Sequence, residues 1–236
     1  VKKTAFANSV IRSTKRLTYE QASAMLEGKG RRTSAKVDIL LHDMDDLARL
    51  IQKRRIHKGM LTLHLPDNEL VFDDAGRAIE VAAEDTSFSH TIIEMFMVEA
   101  NEAVARYLFQ RGLSFLRRIH ESSTKLLDGT LRRLVRFLGH DLPGHASHRD
   151  LQHLLKSVDG KDEAFAINLA VLRSMEQAEY SPKSLGHFAL ASEHYCHFTS
   201  PIRRYPDLVV HRAVKAVLSG KQYRPRDASW AELGTH

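Results

Sequence analysis

The chain has 236 residues with a formal net charge of +6, and 43% of its residues are hydrophobic. This length and composition fit a globular protein with a sizeable core, and they exclude a chain too polar to fold. The positive charge favours polyanionic partners but does not by itself identify one.

Cysteine content and hydropathy indicate the cellular compartment of the protein. Cys196 is the only cysteine, so no internal disulfide can form, and a single thiol is a poor zinc site. No apolar run approaches the ~20 residues needed to span a bilayer, and the first residues lack the features of a signal peptide. We therefore expect a cytoplasmic protein. The chain begins with Val1 rather than Met, which is consistent with a fragment.

Two helices are predicted in the first quarter of the chain. Thr18 and Gln21 form a capping box for a short helix that Gly28 ends. A longer helix follows and ends before Gly59, with Lys53, Arg54 and Arg55 at the end where positive charge stabilises the helix dipole. Its apolar positions recur every 3.6 residues: Val37, Leu40, Leu41, Met44, Leu47, Leu50 and Ile51.

Residues 60–83 change to an alternating apolar pattern, which predicts a β-hairpin region. The alternation runs through Leu61, Leu63 and Leu65 and again through Leu70 and Phe72, and a turn is predicted at 74–76.

A core helix is predicted from Thr91 to Gln110, with Ser89 as its N-cap. Its wide apolar face comprises Ile93, Phe96, Met97, Ala100, Val104, Tyr107 and Leu108.

Further helices are predicted over 126–138, 151–158 and 163–175, and after Ser200 up to Gly220. For the last helix, Ser200 is the predicted N-cap and Pro201 the first helical residue. The alternative is a regular helix beginning near Pro206, because proline lacks a backbone N–H. No repeat or low-complexity segment suggests an internal boundary, so residues 1–236 are treated as one unit.

The strongest chemical signal is the pair Arg203 and Arg204 at the start of the last helix. Guanidinium forks match phosphate oxygens, and free N–H groups at a helix start point toward the same volume. Hydroxyl donors surround the pair at Thr199, Ser200 and Tyr205. The pattern predicts an anion site suited to a phosphodiester.

A purely structural interpretation of the same segment also exists. Asp207 can pair with His211 or Arg203 simply to tie the turn together, and Ser-Pro followed by basic residues occurs at ordinary helix starts. The spacing alone does not decide between the two.

The segment from Tyr195 to Arg212 resembles the signature of the RNB family of exoribonucleases, the RNase II and RNase R group. That signature runs Tyr-x-His-Phe-Thr-Ser-Pro-Ile-Arg-Arg-Tyr-x-Asp-Leu-x-x-His-Arg. Further resemblance lies at 6–13, 17–21, 55–66, 90–102, 115–121 and 186–191. It implies an α+β fold: a helix-rich interior and C-terminal part of one RNB catalytic domain, with a β-hairpin or mixed sheet portion.

The resemblance also implies a function. Family members are hydrolytic 3′-to-5′ exoribonucleases that use Mg²⁺ to degrade single-stranded RNA to nucleoside 5′-monophosphates, and OB-fold RNA-binding domains flank the catalytic domain. The family's metal-binding aspartates lie N-terminal to the matched region. We therefore expect Mg²⁺ ligands outside this chain, none within it, and no activity from the chain alone.

Several residues receive roles by resemblance. Arg203 matches the family arginine that contacts the phosphate next to the scissile bond, which implies stabilisation of transition-state charge. Glu94 matches the glutamate that contacts the sugar near the RNA 3′ end, and Asn101 extends its polar stripe. Arg118 and His120 match an element near the RNA path. The remaining positions, Arg204, Tyr205, Thr199 and Ser200, are expected to bind neighbouring phosphates or to support the loop.

The structural alternatives are a Glu94 that caps a helix or forms a salt bridge within the fold, and a buried, hydrogen-bonded His120. His211 is expected to be structural.

Three departures from the family pattern stand out. Met95 replaces a common second glutamate, and Thr62 lies where RNase II and RNase R members place a stacking phenylalanine. Arg117 replaces a common tyrosine and is expected to add positive charge beside the RNA path.

Two other functions are considered. A non-catalytic RNA-binding relative would share the Arg203 loop but lack the aspartates. An HD-type metal phosphohydrolase would use His42 and Asp43. The carboxylates around His42 diverge on one helix, which favours a solvated face instead.

Overall fold

The fold was analysed in a computed structural model, which describes residues 3–29, 34–65, 68–73, 76–83, 87–122 and 129–223. The described residues form seven helices and four strands, so the predicted helix-rich α+β class is confirmed. In chain order they are α1 (Tyr19–Leu26), α2 (Ala35–Lys58), β1 (Asn68–Phe72), β2 (Ala78–Ala83), α3 (Phe88–Phe109), β3 (Arg117–Ile119), α4 (Thr130–Phe137), α5 (His148–Ser157), α6 (Ala164–Ser174), β4 (Glu179–Ser181) and α7 (Tyr205–Leu218).

The predicted capping signals of the first two helices are confirmed. The Thr18 hydroxyl accepts the Gln21 N–H, and the Gln21 side chain accepts the Thr18 N–H, which completes the capping box. Gly59 ends α2 in the left-handed conformation, with φ of +110°. A Cβ at Gly59 would also lie 3.0 Å from the His148 Cβ, so both backbone and space favour glycine there.

The predicted apolar stripe of α2 is correct only in part. Ile51 is buried and Met44 packs against the same cluster, but Leu40, Leu47 and Leu50 are 58%, 47% and 65% exposed. The other buried positions are Ala48 and Arg55, because the face of α2 that meets α3 includes a charged residue.

Ion pairs join α2 to α3. Arg55, only 3% exposed, contacts Glu99 and lies 2.6 Å from Glu102, while Arg54 also pairs with Glu99. Burial tends to raise the pKa of Glu99, but the hydrogen bonds and charges of Arg54 and Arg55 outweigh it and leave that pKa lowered. Arg54 and Arg55, which were predicted to stabilise the dipole of α2, therefore form ion pairs between α2 and α3.

The predicted hairpin is confirmed in its second half. Strands β1 and β2 pair antiparallel, with an irregularity between Val71 and Phe72. Residues 61–65 are not a strand; Leu61 and Leu63 pack against the core, and the Leu61 N–H donates to the Ala189 carbonyl at 2.9 Å. Of the predicted turn at 74–76, residues 74 and 75 lie outside the described residues, while Gly76 has φ of +75° and its N–H donates to the Asp73 carbonyl at 2.9 Å.

Helix α3 starts earlier than predicted. Its N-cap position is Ser87, and Ser89 is instead a buried residue of the first turn whose hydroxyl contacts those of Ser23 and Ser87. The buried face is also rotated from the predicted one, since Ile93 is 39% exposed. The buried residues of α3 are Ser89, Ile92, Met95, Val98, Asn101, Val104, Ala105 and Leu108.

Among the described residues, the buried hydrophobic side chains form three clusters. One lies among α4, α5 and α6, one joins α3 to α7 and Phe115, and one joins α2 to α3. Each predicted helix between 126 and 175 exists with shifted ends, and α5 begins with a capping box between Ser147 and Asp150. No helix in the described ranges has both the length and the apolar character that a membrane crossing requires.

Candidate nucleic-acid interface

Hydrogen bonds to the Asn101 side chain of α3 anchor the loop that carries Arg203 and Arg204. The Asn101 side chain is 2% exposed, and its Oδ1 accepts the N–H groups of Phe198 and Thr199 at 2.9 and 3.2 Å. Its Nδ2 donates to the Tyr195 hydroxyl at 3.1 Å. Since its side-chain donors and acceptor face inward, Asn101 positions the loop rather than facing solvent.

The start of α7 differs from the first prediction and agrees with the second. Ser200 is not the N-cap: its carbonyl accepts the N–H groups of Arg203 and Arg204 in a turn, and the regular helix begins at Tyr205. Pro206 lies in the first helical turn, where its missing N–H costs no intrahelical bond.

Asp207 organises this turn. It is fully buried, accepts the Ser200 N–H at 2.8 Å, and accepts Nε and Nη2 of Arg204 at 2.8 and 2.9 Å. The predicted partners of Asp207 were His211 and Arg203, so that prediction is wrong in its partner. His211 instead lies 2.8 Å from the Phe198 carbonyl and stacks on the Phe198 ring, a structural role as expected.

Arg203 takes no part in the hydrogen bonds of Asp207. Its side chain is exposed and, within the part of the chain that the structure describes, has no ion pair or hydrogen bond. Ile202 beside it is 97% exposed and Tyr205 is 50% exposed. The loop thus fixes Arg204 internally and presents Arg203 to solvent, although the two residues are adjacent and chemically identical.

Glu94 lies on the same side of α3 as Asn101, two turns and roughly 10 Å away along the axis. The residue is exposed, yet the protein atoms around its carboxyl group reduce its hydration and raise its pKa. Among the described residues it has no salt bridge or hydrogen bond. The structural alternative of an internal salt bridge is therefore not what the fold shows.

Strands β3 and β4 place Arg118 and Tyr180 beside the loop. The sequence predicted Arg118 as a site residue but not Tyr180. Arg118 is opposite Tyr180 in the pair, and its guanidinium lies over the Tyr180 ring. The Tyr180 hydroxyl is 2.8 Å from Nδ1 of His197. Tyr180 was missed because a three-residue strand leaves almost no periodic signal.

His120 is a buried, internally bonded residue. It is 6% exposed, its Nδ1 accepts the Ala189 N–H at 3.2 Å, and burial lowers its pKa. With His187 and Lys58 it lines an open cleft of about 640 Å³. The alternative of a buried, hydrogen-bonded histidine is the one the structure shows.

Two departures from the family pattern have structural outcomes. Arg117 does not add charge to an open surface: it is 6% exposed, and its Nη1 donates to the Pro182 carbonyl at 2.5 Å. Met95 is a core residue, 1% exposed. The expectation for Arg117 is therefore wrong, because its guanidinium is covered and stacked on Phe115.

Clustered metal ligands are absent from the described ranges: no group of three or more His, Cys, Asp or Glu side chains there could hold a metal. His42 and Asp43 are exposed on α2, and neighbouring Asp45 pairs with Arg49. Nothing in α2 therefore favours an HD-type phosphohydrolase.

The assembled surface offers donors and few acceptors. Arg203, Arg118, the Tyr180–His197 pair and Tyr205 supply positive charge, N–H groups and hydroxyls, while the buried carboxylate of the turn, Asp207, is already bonded. Such a set binds an anion with several oxygens, as a phosphate has.

A matched pair of asparagine substitutions tests the positioning role of Asn101. Asn101→Ala and Asn168→Ala each remove a buried amide, since Asn168 accepts the His64 N–H and donates to the Ala164 carbonyl in another cluster. Both should lower the free energy of unfolding by roughly 2 to 3 kcal/mol. Only Asn101→Ala should weaken binding of a phosphodiester ligand at a temperature where both variants are folded. Equal affinity of the two variants for a labelled oligonucleotide, measured by fluorescence anisotropy, would contradict the role.

Comparison with known proteins supplies the family. The sequence model of the RNB domain matches residues 1–220. Ribonuclease R of Aquifex aeolicus is 36% identical over 234 residues, which are 97% of this chain and 33% of that protein. The chain thus spans about a third of the length of the curated relatives it matches.

Solved structures agree. Mycoplasma genitalium RNase R in complex with ribose methylated single-stranded RNA superposes with a TM-score of 0.83 and 28% identity, over 92% of this chain and 35% of that one. Yeast Ssd1, described as a pseudonuclease, has a TM-score of 0.68 at 24% identity, over 92% of this chain and 27% of that one, which shows a shared fold. With the family match covering nearly all of the sequence and the same fold in RNase R, the chain belongs to the RNB family.

Proposed function

We propose that the chain is the interior and C-terminal part of the catalytic domain of a hydrolytic 3′-to-5′ exoribonuclease. Its substrate is single-stranded RNA and its products are nucleoside 5′-monophosphates. The observation that carries the proposal is the exposed, unpaired Arg203 on a loop fixed by Asn101 and Asp207. The RNA bound to the M. genitalium relative supports the choice of ligand.

Arg203 binds the phosphate next to the bond that is cut. As charge develops on the phosphate oxygens, the Arg203 guanidinium stabilises it from a turn whose backbone is fixed by Asn101 and Asp207. Glu94 accepts a hydrogen bond from a ribose hydroxyl near the RNA 3′ end. Tyr205 and the Thr199 segment lie against neighbouring phosphates, while Arg204, Ser200 and Asn101 support the loop from inside.

The side chains that bind Mg²⁺ are proposed to lie outside the described residues. Hydrolysis in metal nucleases uses clustered carboxylates, and the described ranges contain no such cluster, so their side chains do not fit a Mg²⁺ site. This chain supplies the residues that bind the phosphate and the sugar. The ligands, and OB-fold domains that bind RNA, belong to the complete gene product.

The test compares the complete gene product with the 236-residue chain on RNA labelled at its 5′ end. The complete product should release mononucleotides stepwise from the 3′ end and stop when Mg²⁺ is chelated. The chain alone should bind the RNA and leave it intact. Endonucleolytic fragments from the complete product, or mononucleotides from the chain alone, would contradict the proposal.

A second candidate is a non-catalytic RNA-binding member of the family. It is favoured by the absence of a carboxylate cluster from the described ranges and by the shared fold of a pseudonuclease. In the same assay it predicts tight binding by the complete gene product with no mononucleotide at any Mg²⁺ concentration.

A further inference from the structure

Three side chains border the loop that carries Arg203, and we call them the Arg118 cluster: Arg118, Tyr180 and His197. The central guanidinium carbon of Arg118 lies 4.6 Å from the centroid of the Tyr180 ring, and the Tyr180 hydroxyl lies 2.8 Å from Nδ1 of His197. The backbone N–H of Arg118 donates to the Tyr195 carbonyl at 3.1 Å. The cluster is therefore fixed to the same segment that Asn101 holds.

Arg118 is held in place without using its donors. Across the ranges that the structure describes, no carboxylate pairs with its guanidinium, and its side chain contacts the Tyr180 ring face. A guanidinium stacked on an aromatic ring keeps the N–H groups along its edge available for a ligand. Arg118 and Arg203 thus share the same feature, an unpaired guanidinium on a rigid support.

The Tyr180–His197 pair adds one more donor, wherever its proton lies. If Tyr180 donates to Nδ1, then Nε2 of the neutral His197 carries a hydrogen; if Nδ1 donates instead, the Tyr180 O–H is free. Burial, then the positive charges of Arg204, Arg118 and Arg203, lower the pKa of His197 to about 4 against the opposing effect of Asp207. The imidazole is therefore neutral at pH 7.

We propose that Arg118 and the Tyr180–His197 pair form a second phosphate subsite, which binds the phosphodiester neighbouring the one held by Arg203. The inference rests on the proposed function, because RNA must bring both phosphates to the site. A charged guanidinium with one further donor matches the negative, acceptor-only oxygens of a phosphodiester better than a neutral nucleobase edge, which presents donors as well. The same chemistry also suits the 5′-phosphate of a released mononucleotide, and the test separates the two.

The test measures single-stranded RNA affinity of the complete gene product at several salt concentrations, with Mg²⁺ chelated so that RNA stays intact. Each lost phosphate contact reduces the slope of log affinity against log salt by about 0.7 for single strands. Arg118→Gln should reduce the slope by that amount and weaken binding roughly tenfold. Tyr180→Phe keeps the ring under the guanidinium and should weaken binding roughly fivefold.

Two control variants make the result specific. Arg133→Gln removes one positive charge from the exposed face of α4, where the Arg133 guanidinium donates to the Thr130 hydroxyl, and should leave the slope unchanged. Arg118→Lys keeps the charge and should retain most of the slope. If Arg118→Gln unfolds, the predicted fivefold loss in Tyr180→Phe carries the test.

The outcomes separate this inference from the proposed function. A reduced slope in Arg203→Gln but not in Arg118→Gln would overturn the second subsite alone, and no change in either would overturn both. Equal losses in Arg118→Gln and Arg133→Gln would show general charge and overturn the subsite. A weaker mononucleotide affinity with an unchanged RNA slope would also overturn it, because the cluster would then hold a product.

Discussion

Replacing Arg203 with glutamine in the complete gene product should lower the rate of the bond-cleavage step about 10²- to 10³-fold, the usual cost of removing one donor aimed at developing charge. The melting temperature should stay unchanged, because the exposed Arg203 side chain has no partner among the described residues. The measurement is single-turnover release of mononucleotide, with thermal denaturation of the same sample.

The matched comparison is Ile202→Ala, the neighbouring residue, which is 97% exposed. It alters the same turn without removing charge, and its rate should stay close to that of the unmodified protein. A large loss in both variants would mean that the turn is simply sensitive to any substitution, and Arg203 would lose its assigned role.

Replacing Arg204 with glutamine should give the opposite pattern, a loss of stability. Its guanidinium makes two hydrogen bonds to Asp207, whose side chain is fully buried, so the variant leaves a carboxylate without its counter-charge. Breaking such a pair costs about 3 kcal/mol or more. Denaturant unfolding of the variant should show this loss in the free energy of unfolding.

The double variant Arg204→Gln/Asp207→Asn completes a thermodynamic cycle. It should be more stable than Arg204→Gln alone, because no buried charge remains unpaired. Strict additivity of the two single effects would contradict the ion pair. A fully stable Arg204→Gln with impaired RNA binding would instead return Arg204 to the phosphate-binding role that the sequence suggested.

The contrast between Arg203 and Arg204 shows what the sequence was able to predict. The Ser-Pro-Ile-Arg-Arg string identified an anion-binding segment, but adjacent identical residues look equivalent until the turn is built. Only the fold shows that Asp207, three residues after Arg204, faces that guanidinium and not its neighbour. Separating the two needed the geometry of a turn that ends at Tyr205.

The buried faces of the helices were also predictable only where they depend on nearby residues. Local signals such as the Thr18 capping box and the glycine after α2 were predicted correctly, because they depend on a few neighbouring residues. Which face of α2 is buried depends on α3, and there a charged residue, Arg55, occupies the contact that leucines were expected to fill. Periodicity reports that a helix is amphipathic but not which partner it meets.

Asn101 and Tyr180 illustrate the remaining gap. Asn101 was expected to extend a polar stripe, yet its amide is turned toward residues nearly a hundred positions away. Tyr180 belongs to a strand of three residues that has no periodic pattern. In both cases the decisive contact is long-range, so no sequence window contains it.

Contact between Arg203 and one particular phosphate can be measured with single-stranded RNAs in which one phosphate at a time is replaced by a neutral methylphosphonate. Each RNA is bound to the unmodified complete gene product and to Arg203→Gln. Neutralising the phosphate next to the bond that is cut should weaken binding to the unmodified protein but not further to Arg203→Gln, while other positions should give additive losses. Additive losses at every position would contradict this contact.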